Sequence, residues 1–182
     1  MKKSGLRKSA QYVTEHTQHS IMMAEIGVCT GVNALAMLKS MKIKMLYLID
    51  PYIPYSDGSK VKYTKNFQDT AYAKTFTRLI PFHREVTFIK QSSAFSVRLF
   101  PKELFDYVYI DGNHSYGAVL EDCNLWWRTV KMGGVLAGHD YSASYFNVEV
   151  KKAVDEFSVK HNLKVQLFDK SDDWMIIKNN NF

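Results

Sequence analysis

The chain has 182 residues, of which 46% are hydrophobic, and its formal net charge is +6 at pH 7. No apolar run approaches membrane-spanning length, and no apolar segment follows the basic N-terminus, so we expect a cytoplasmic protein without a membrane partner. The positive charge is spread over many single lysines, which makes a nucleic-acid partner an unfavoured interpretation. The length predicts one domain, residues 1–182, with a core that covers both faces of a sheet.

The two cysteines, Cys29 and Cys123, do not have the spacing of metal ligands, and a chain of this size needs no disulfide. Cys29 falls in a glycine turn and Cys123 on an apolar helical pattern. We therefore expect both to be small buried thiols.

Short apolar segments alternate with helical patterns along the chain. Strands are predicted at Ile21–Val28, Met45–Asp50, Glu85–Lys90, Phe105–Ile110, Val135–Gly138, Lys164–Phe168 and Trp174–Lys178. Helices are predicted at Val32–Met41, Asp69–Ile80, Ala94–Leu99 and Ser115–Val130, with another capped by Asn147. We expect residues 1–20 to cap or flank the core, residues 52–68 to form a loop on the substrate side, and residues 179–182 to fray.

The order of these elements predicts an α/β fold. Strands that alternate with helices favour a parallel sheet with helices on both faces. Only Asp169–Asp173 separates the last two strands, which is too short for a crossover, so these strands should pair antiparallel. The prediction is a doubly wound mixed sheet of seven strands, with the last strand antiparallel.

Unusual polar residues follow several of these strands. They are Glu25 with Gly27, Asp50, Gln91–Ser93, Asp111–His114 and His139–Asp140. Ligands of doubly wound sheets bind beyond the carboxyl ends of the strands. The sequence therefore predicts one site at this edge of the sheet.

The segment Met22–Gly31 has the spacing E-x-G-x-x-x-G and precedes a predicted helix. Glycine allows close approach of the backbone to a ligand, and a helix N-terminus offers unpaired N–H groups. The spacing differs from the dinucleotide and phosphate-loop motifs, and no lysine stands where a phosphate would need one. These features favour a small adenosine-bearing ligand with little phosphate, although a strand–turn–helix without a ligand remains the alternative.

Four segments carry a family resemblance: AEIGVCTG, YLIDPY, FDYVYIDGNHSYGAVLEDCNLWW and KMGGVLAGHDY. They resemble class I S-adenosylmethionine-dependent methyltransferases, and most closely the small O-methyltransferases related to macrocin methyltransferases. The resemblance covers nearly the whole chain from Met22, and IDGNHSY and GHDY are its specific part. It implies a Rossmann-like sheet and O-methylation of a sugar-containing or other small-molecule acceptor.

The resemblance also implies which residues bind S-adenosylmethionine. Glu25, Gly27 and Gly31 would shape the pocket for the methionine part, and Asp50 would accept hydrogen bonds from both ribose hydroxyls. The adenine would lie against Gln91–Ser93. The complete set of expected cofactor residues is Glu25, Gly27, Val28, Cys29, Thr30, Gly31, Asp50, Gln91, Ser92, Ser93 and Asp111. An acid that merely ends a strand before a proline turn is the alternative for Asp50.

Methyl transfer requires alignment of donor and acceptor and removal of the acceptor's proton. We expect Asp111, His114 and Asp140 to be catalytic, with His114 as general base. Asp111, His139 and Asp140 could hold Mg²⁺. His139 departs from the acid or amide of metal-dependent relatives, so Mn²⁺, Zn²⁺ or no metal are alternatives. Asp111 could also simply begin a turn, and His139 could be structural.

Two other functions remain open. Asp50-Pro51-Tyr52 faintly resembles the D-P-P-Y motif of nucleic-acid amino-methyltransferases, but that motif belongs after the fourth strand. The second open function is that of a non-catalytic domain that binds the cofactor and acts through a partner. We expect an open acceptor site, covered by the 52–68 loop or by a neighbouring subunit of a homo-oligomer. Tyr52, Tyr55 and Tyr63 suit the apolar faces of sugar rings.

Overall fold

The computed structural model describes residues 5–56, 63–141 and 148–179. The helices in these ranges are α1 (Lys8–His16), α2 (Val32–Ser40), α3 (Lys65–Leu79), α4 (Ser93–Ser96), α5 (Tyr116–Trp126) and α6 (Val148–Lys160). The strands are β1 (Ile21–Ile26), β2 (Ile43–Ile49), β3 (Val86–Ile89), β4 (Phe105–Ile110), β5 (Val130–Gly138), β6 (Gln166–Leu167) and β7 (Trp174–Ile177). Asn147, the expected cap of α6, and residues 180–182 of the expected frayed tail lie outside the described residues.

The seven strands form one sheet in the order β3-β2-β1-β4-β5-β7-β6. The pairs among β1 to β5 are parallel, whereas β7 runs antiparallel to both β5 and β6. The predicted doubly wound mixed sheet with an antiparallel final strand is therefore confirmed. Strand order reverses between β1 and β4, and a ligand crevice is expected at that point.

Helices cover both faces of the sheet because neighbouring strand residues point to opposite sides. Met23 and Tyr107 belong to one buried cluster, and the residues that follow them, Ala24 and Val108, belong to the other. The first cluster includes residues of α1, α2 and α3: Ala10, Val13, Ala34, Met37, Ala71 and Leu79. The second includes residues of α5 and α6: Val119, Cys123, Trp126, Val150, Ala153 and Phe157. Within the described residues, no helix is both long and apolar enough to span a membrane.

Helix α3 begins four residues earlier than predicted. The Thr64 hydroxyl accepts a hydrogen bond from the Phe67 N–H at 3.3 Å and caps the helix, so residues 65–68 of the expected loop are helical. The buried positions of α3 are Gln68, Ala71, Thr75 and Leu79. The apolar spacing of Tyr72, Phe76, Leu79 and Ile80 predicts a single buried face, yet Phe76 and Ile80 are each 54% exposed. Apolar periodicity therefore misplaced this face.

The predicted helix Ser115–Val130 is too long, because α5 ends at Trp126 and β5 begins at Val130. The Gly133-Gly134 pair predicts a turn before the fifth strand, yet it lies inside β5, where the Gly133 N–H donates to the Lys178 carbonyl at 2.7 Å. This pairing extends β5 well before the predicted start at Val135. The apolar spacing of the predicted helix Ser115–Val130 places Trp127 on the buried face, yet Trp126 is fully buried and Trp127 only partly.

Candidate active site

Gly27 joins the ends of the two central strands. It follows β1 with φ +83°, and a Cβ atom there would lie 2.3 Å from both the Asp111 carbonyl oxygen and the Gly112 Cα. No other residue can occupy this position without separating β1 from β4. The close contact brings the glycine turn and Asp111 to the same point.

Asp50 ties the glycine turn to the end of β2. Its Oδ2 accepts hydrogen bonds from the N–H groups of Val28 (2.9 Å) and Cys29 (3.0 Å), and its Oδ1 accepts one from Tyr52 N–H (2.8 Å). A carboxylate offers roughly four acceptor positions, so capacity for a ligand hydroxyl remains. Asp50 thus has a structural contact that the sequence did not indicate, and its expected role in binding ribose stays a prediction.

Helix α3 holds the same turn from the opposite side. The Thr75 hydroxyl donates to the Cys29 carbonyl at 2.7 Å, and the Arg78 guanidinium donates to the Thr30 carbonyl. Cys29 has φ +50°, and its side chain is exposed, so the expectation of a buried thiol is wrong for Cys29. The carbonyls of this turn point at α3, which leaves the thiol at the surface. Cys123 is buried, as predicted.

Gly31 ends the turn and is the cap residue that directly precedes α2. It has φ +70°, and a Cβ atom would lie 2.8 Å from the Cγ2 of Thr75. Its N–H donates to the Val28 carbonyl at 2.9 Å. The turn is therefore closed on itself and packed against α3, and it presents the start of α2 to the crevice.

A largely apolar cavity of about 270 Å³ opens between the ends of β1, β2 and β4. Its apolar lining includes Ile26, Ile49, Pro51, Ile53, Ala94 and Ala118. Polar groups enter it from Asp50, Ser92 and Ser93. Gln91, the third residue expected to contact adenine, is exposed and does not line the cavity.

Asp122 of α5 also lines this cavity and was missed by the sequence analysis. It is 7% exposed, and its Oδ1 accepts a hydrogen bond from the Ser93 hydroxyl, which in turn accepts one from Trp126 Nε1 at 2.7 Å. Burial raises the pKa of the Asp122 carboxyl to about 7. The available signal was an acid inside the apolar stripe of a predicted helix.

A second cavity, of about 520 Å³, lies on the other side of Gly27, against the start of α2. Glu25 enters it and is 1% exposed; its Oε1 accepts a hydrogen bond from Asn33 Nδ2 at 2.9 Å. Glu25 Oε2 and Asn33 Oδ1 are buried and have no hydrogen-bond partner among the described residues. Burial raises the pKa of Glu25 to about 8, and the charge of Asp111 adds to the shift. These two oxygens could therefore accept hydrogen bonds from a donor group of a ligand in the cavity.

The strand ends of β4 and β5 bring the expected catalytic residues together. His114 Nε2 lies 3.1 Å from Asp140 Oδ2 and 3.5 Å from Asp111 Oδ1, and His139 Nδ1 lies 3.2 Å from Asp140 Oδ1. Burial lowers the pKa of His114, but hydrogen bonds to both aspartates outweigh it and raise that pKa to about 10. Burial raises the pKa of Asp140, but the two histidines hold it well below its usual range. His114 is therefore an imidazolium at neutral pH.

The three expected metal ligands also lie close together. One donor atom from each of Asp111, His139 and Asp140 falls within 4.8 Å of the others. Two carboxylates and one imidazole can hold a divalent cation, and the nitrogen favours Mn²⁺ or Zn²⁺ over Mg²⁺. The same carboxylates are paired with cations of the chain itself, His114 and Arg7, the latter 3.6 Å from Asp111 Oδ2.

Two tyrosines of the predicted substrate loop line both cavities. The rings of Tyr55 and Tyr63 stack 4.2 Å apart, and Phe67 packs edge-on against Tyr63. Tyr52 is only 6% exposed and packs against Tyr72, so the expectation that it faces a sugar ring is wrong. Residues 57–62 of the loop lie outside the described ranges.

A family model described as a methyltransferase domain matches residues 24–141, more than half of the chain. The chain belongs to this methyltransferase family. Membership implies S-adenosylmethionine as the cofactor, in agreement with the expectation from the family resemblance. The matched residues include every strand end that forms the crevice.

One sequence relative is protein R132 of Acanthamoeba polyphaga mimivirus, which is 28% identical over 137 residues. The match covers 72% of this chain but only 57% of the viral protein. The chain therefore spans little more than half the length of that relative.

Solved structures of several methyltransferases share the fold. The O-methyltransferase NovP superposes with a TM-score of 0.68 at 14% identity, covering 95% of this chain and 80% of NovP. A precorrin-6y C5,15-methyltransferase from Geobacter metallireducens gives a TM-score of 0.64 at 14% identity, covering 93% and 84%. A ribosomal protein L11 methylase from Lactobacillus delbrueckii gives 0.61 at 14% identity, covering 92% and 74%. These proteins have different acceptors, so the likeness shows the fold and not the acceptor.

Proposed function

We propose that the protein transfers a methyl group from S-adenosylmethionine to a hydroxyl oxygen of a small, sugar-containing acceptor, as in macrocin-type O-methyltransferases. The observation that carries the proposal is the junction of the two cavities. Both are lined by Gly27, Asp111 and Gly112, and the Asp111–His114–Asp140 cluster adjoins that junction. A cofactor that spans both cavities would hold its reactive sulfur beside this cluster.

The apolar cavity suits the adenosine part of the cofactor. Ile49, Pro51 and Ala118 would offer apolar contacts to a purine ring, and Asp50 would accept a hydrogen bond from a ribose hydroxyl at its remaining acceptor position. Asp122, a buried carboxyl in the lining of this cavity, would accept a hydrogen bond from the exocyclic amine of adenine. Three groups of different chemistry would thus recognise three parts of one nucleoside.

The second cavity suits the methionine part. The buried and unpartnered Glu25 Oε2 and Asn33 Oδ1 would both accept hydrogen bonds from the cofactor's ammonium group. A buried carboxyl with a raised pKa releases its proton when a cation binds beside it, so the pairing would convert Glu25 to its charged form.

The cluster beyond the junction would bind the acceptor hydroxyl and take its proton. His114 can act as base only after its hydrogen bonds to Asp111 and Asp140 weaken, because those bonds keep it protonated. An acceptor that displaces one of these carboxylates from His114 would lower the pKa of His114 and leave Nε2 able to accept the proton of the acceptor hydroxyl. A divalent cation on Asp111, His139 and Asp140 would supply Lewis-acid activation of the acceptor oxygen.

The stacked Tyr55 and Tyr63 rings stand beside both cavities and would offer an apolar surface to a sugar ring. Aromatic rings that border a cavity can pack against the apolar face of a sugar ring, while the sugar's own hydroxyls make polar contacts elsewhere. The sugar-containing acceptor rests on this feature together with the resemblance to macrocin-type enzymes.

Titration calorimetry with S-adenosylhomocysteine tests the cofactor. We expect micromolar binding, about −8 kcal/mol, and loss of roughly tenfold or more in affinity on Asp50→Asn, because the amide disturbs both the turn and the ribose contact. Asp69→Asn, in an exposed ion pair with Lys65, is the matched control and should bind as the wild type does. Absence of binding by the wild type would overturn the proposal.

Transfer of a labelled methyl group to separate pools of glycosides, phenols and RNA tests the acceptor. We expect labelling of a hydroxyl oxygen in the glycoside pool. Labelling of RNA, with an affinity that falls steeply as salt rises, would instead establish a nucleic-acid methyltransferase.

A further inference from the structure

The N-terminal segment supplies a cation to the second cavity, which the proposed function assigns to the methionine part of the cofactor. Arg7 directly precedes α1 and lines the second cavity together with Glu25 and Asn33. Its side chain is 33% exposed, and its guanidinium lies 3.6 Å from Asp111 Oδ2. Arg7 lies outside residues 24–141, so the family match says nothing about it.

The backbone that carries Arg7 is anchored to the sheet. The Ser9 N–H and Ser9 hydroxyl both lie 3.1 Å from Asp173 Oδ2, and the Ser9 hydroxyl is 2.8 Å from the Tyr107 hydroxyl on β4. All of these contacts are buried, and Leu6 and Ala10 pack into the core on either side. Arg7 is therefore held at the cavity by fixed neighbours and does not belong to a loose tail.

The cavity offers hydrogen-bond donors as well as acceptors. Helix α2 begins at Val32, and its cap residue Gly31 has no side chain, so the cap makes no hydrogen bond to the first N–H groups of the helix. These N–H groups and Arg7 would donate, while the buried Glu25 Oε2 and Asn33 Oδ1 would accept. An ammonium group alone would need only the acceptors. The complete set matches the zwitterionic head of an α-amino acid.

We propose that Arg7 binds the carboxylate of the cofactor's methionine group and thereby completes the cofactor site from the N-terminal segment. The planar guanidinium matches a carboxylate with two parallel hydrogen bonds. It also offsets the repulsion that this carboxylate would meet from Glu25 and Asp111 in the same cavity. The inference rests on the proposed use of S-adenosylmethionine and adds a residue that orients the donor.

Calorimetry with two ligands tests the assignment. One is S-adenosylhomocysteine, and the other is its decarboxylated analogue, which keeps the adenosine, the thioether and the amine. Arg7→Gln should weaken S-adenosylhomocysteine roughly 10- to 100-fold and the analogue less than about twofold. Arg7→Lys should give an intermediate loss, because it keeps the charge and loses the fork. Arg84→Gln, which removes an exposed arginine that lines neither cavity, should leave both affinities unchanged.

Each other result overturns the inference. If Arg7→Gln weakened both ligands equally, Arg7 would act by positioning Asp111 or by stabilising the fold, and not by binding the carboxylate. If neither affinity changed, Arg7 would not contact the cofactor. If Arg7→Gln fails to fold, the wild type and Arg7→Lys still test the inference. A wild type that binds both ligands with equal affinity makes no favourable contact with the carboxylate. A wild type that binds neither ligand would defeat the proposed function itself, which is a different outcome.

Discussion

Gly27 and Asp111 are in direct backbone contact: a Cβ atom on Gly27 would lie 2.3 Å from the Asp111 carbonyl oxygen. The contact links the turn after β1 with the strand end that carries the proposed catalytic aspartate. The glycine turn and the Asp111–His114–Asp140 cluster therefore meet at one backbone contact, so a change at either should affect the other.

Gly27→Ala should destabilise the protein by at least about 2–3 kcal/mol, because it combines a backbone clash with a positive φ. Urea denaturation measures the effect. Gly117→Ala is the matched control, since Gly117 is exposed on α5 with open space at its Cβ position. That helical substitution should stabilise by up to about 1 kcal/mol. Equal stability of the two variants would contradict the role given to Gly27.

Thr75→Val should weaken S-adenosylhomocysteine binding about fivefold or more, because it removes the hydroxyl that holds the Cys29 carbonyl. Thr75→Ser keeps the hydroxyl and should bind as the wild type does. Calorimetry on both variants separates the hydrogen bond from the packing of the side chain. If the serine variant lost as much affinity as the valine variant, the methyl group and not the hydrogen bond would hold the turn.

Glu25 should make the free energy of unfolding depend on pH. Its pKa in the folded protein is about 8, above the ordinary value, so between about pH 4.5 and 8 the folded state binds one more proton than the unfolded state. Stability should therefore fall as pH rises through this window, by up to about 1.4 kcal/mol per unit. Urea denaturation from pH 5 to 8 should show a shallower fall in Glu25→Gln. Identical slopes would show that Glu25 is charged in the folded protein.

Asp122→Asn should weaken S-adenosylhomocysteine about tenfold, because an amide beside Ser93 is a poorer acceptor for the adenine amine. The variant should also narrow the difference between this ligand and S-inosylhomocysteine, which lacks that amine. Glu121→Gln, on the rim of the same cavity, is the control. A variant that discriminates the two ligands as well as the wild type does would exclude Asp122 from adenine recognition.

Asp140→Asn should lower the methyl-transfer rate by about 100-fold or more while cofactor affinity changes little, because Asp140 lines neither cavity, lies 3.1 Å from His114, and would act on the acceptor through that contact. His114→Gln should lower the rate in the same way. Single-turnover assays with and without a chelator measure both effects and the metal requirement. Full activity of both variants would exclude Asp140 and His114 from the catalytic step.

Several features of this protein are determined locally, so they could be predicted from the chain alone. The short Asp169–Asp173 connection requires an antiparallel pair, and β6 and β7 form it. Asp50 and Asp111 end apolar strands, and parallel strands place their carboxyl ends at one edge. Gly27 and Gly31 could likewise be assigned to a tight turn from the sequence, because the positive φ angles of such a turn are a local requirement.

Other features depend on residues far apart in the chain and were predicted wrongly or missed. Apolar periodicity misplaced the buried face of α3, because Thr75 turns inward to bond with the Cys29 carbonyl 46 positions away. The same contact leaves the Cys29 thiol exposed. Arg7 and Asp122 lie in patterns typical of a basic tail and an apolar helix face, and only packing reveals that both line a cavity.

The sequence by itself determined the strand order along the chain, the reversed final strand and the edge of the sheet that carries the site, because connection lengths and strand-end residues are local properties. Only the tertiary structure decided which side chains face the cavities and in which charge state. Burial sets the pKa of Glu25 and Asp122, and ion pairing sets that of His114. Both depend on neighbours that folding brings together.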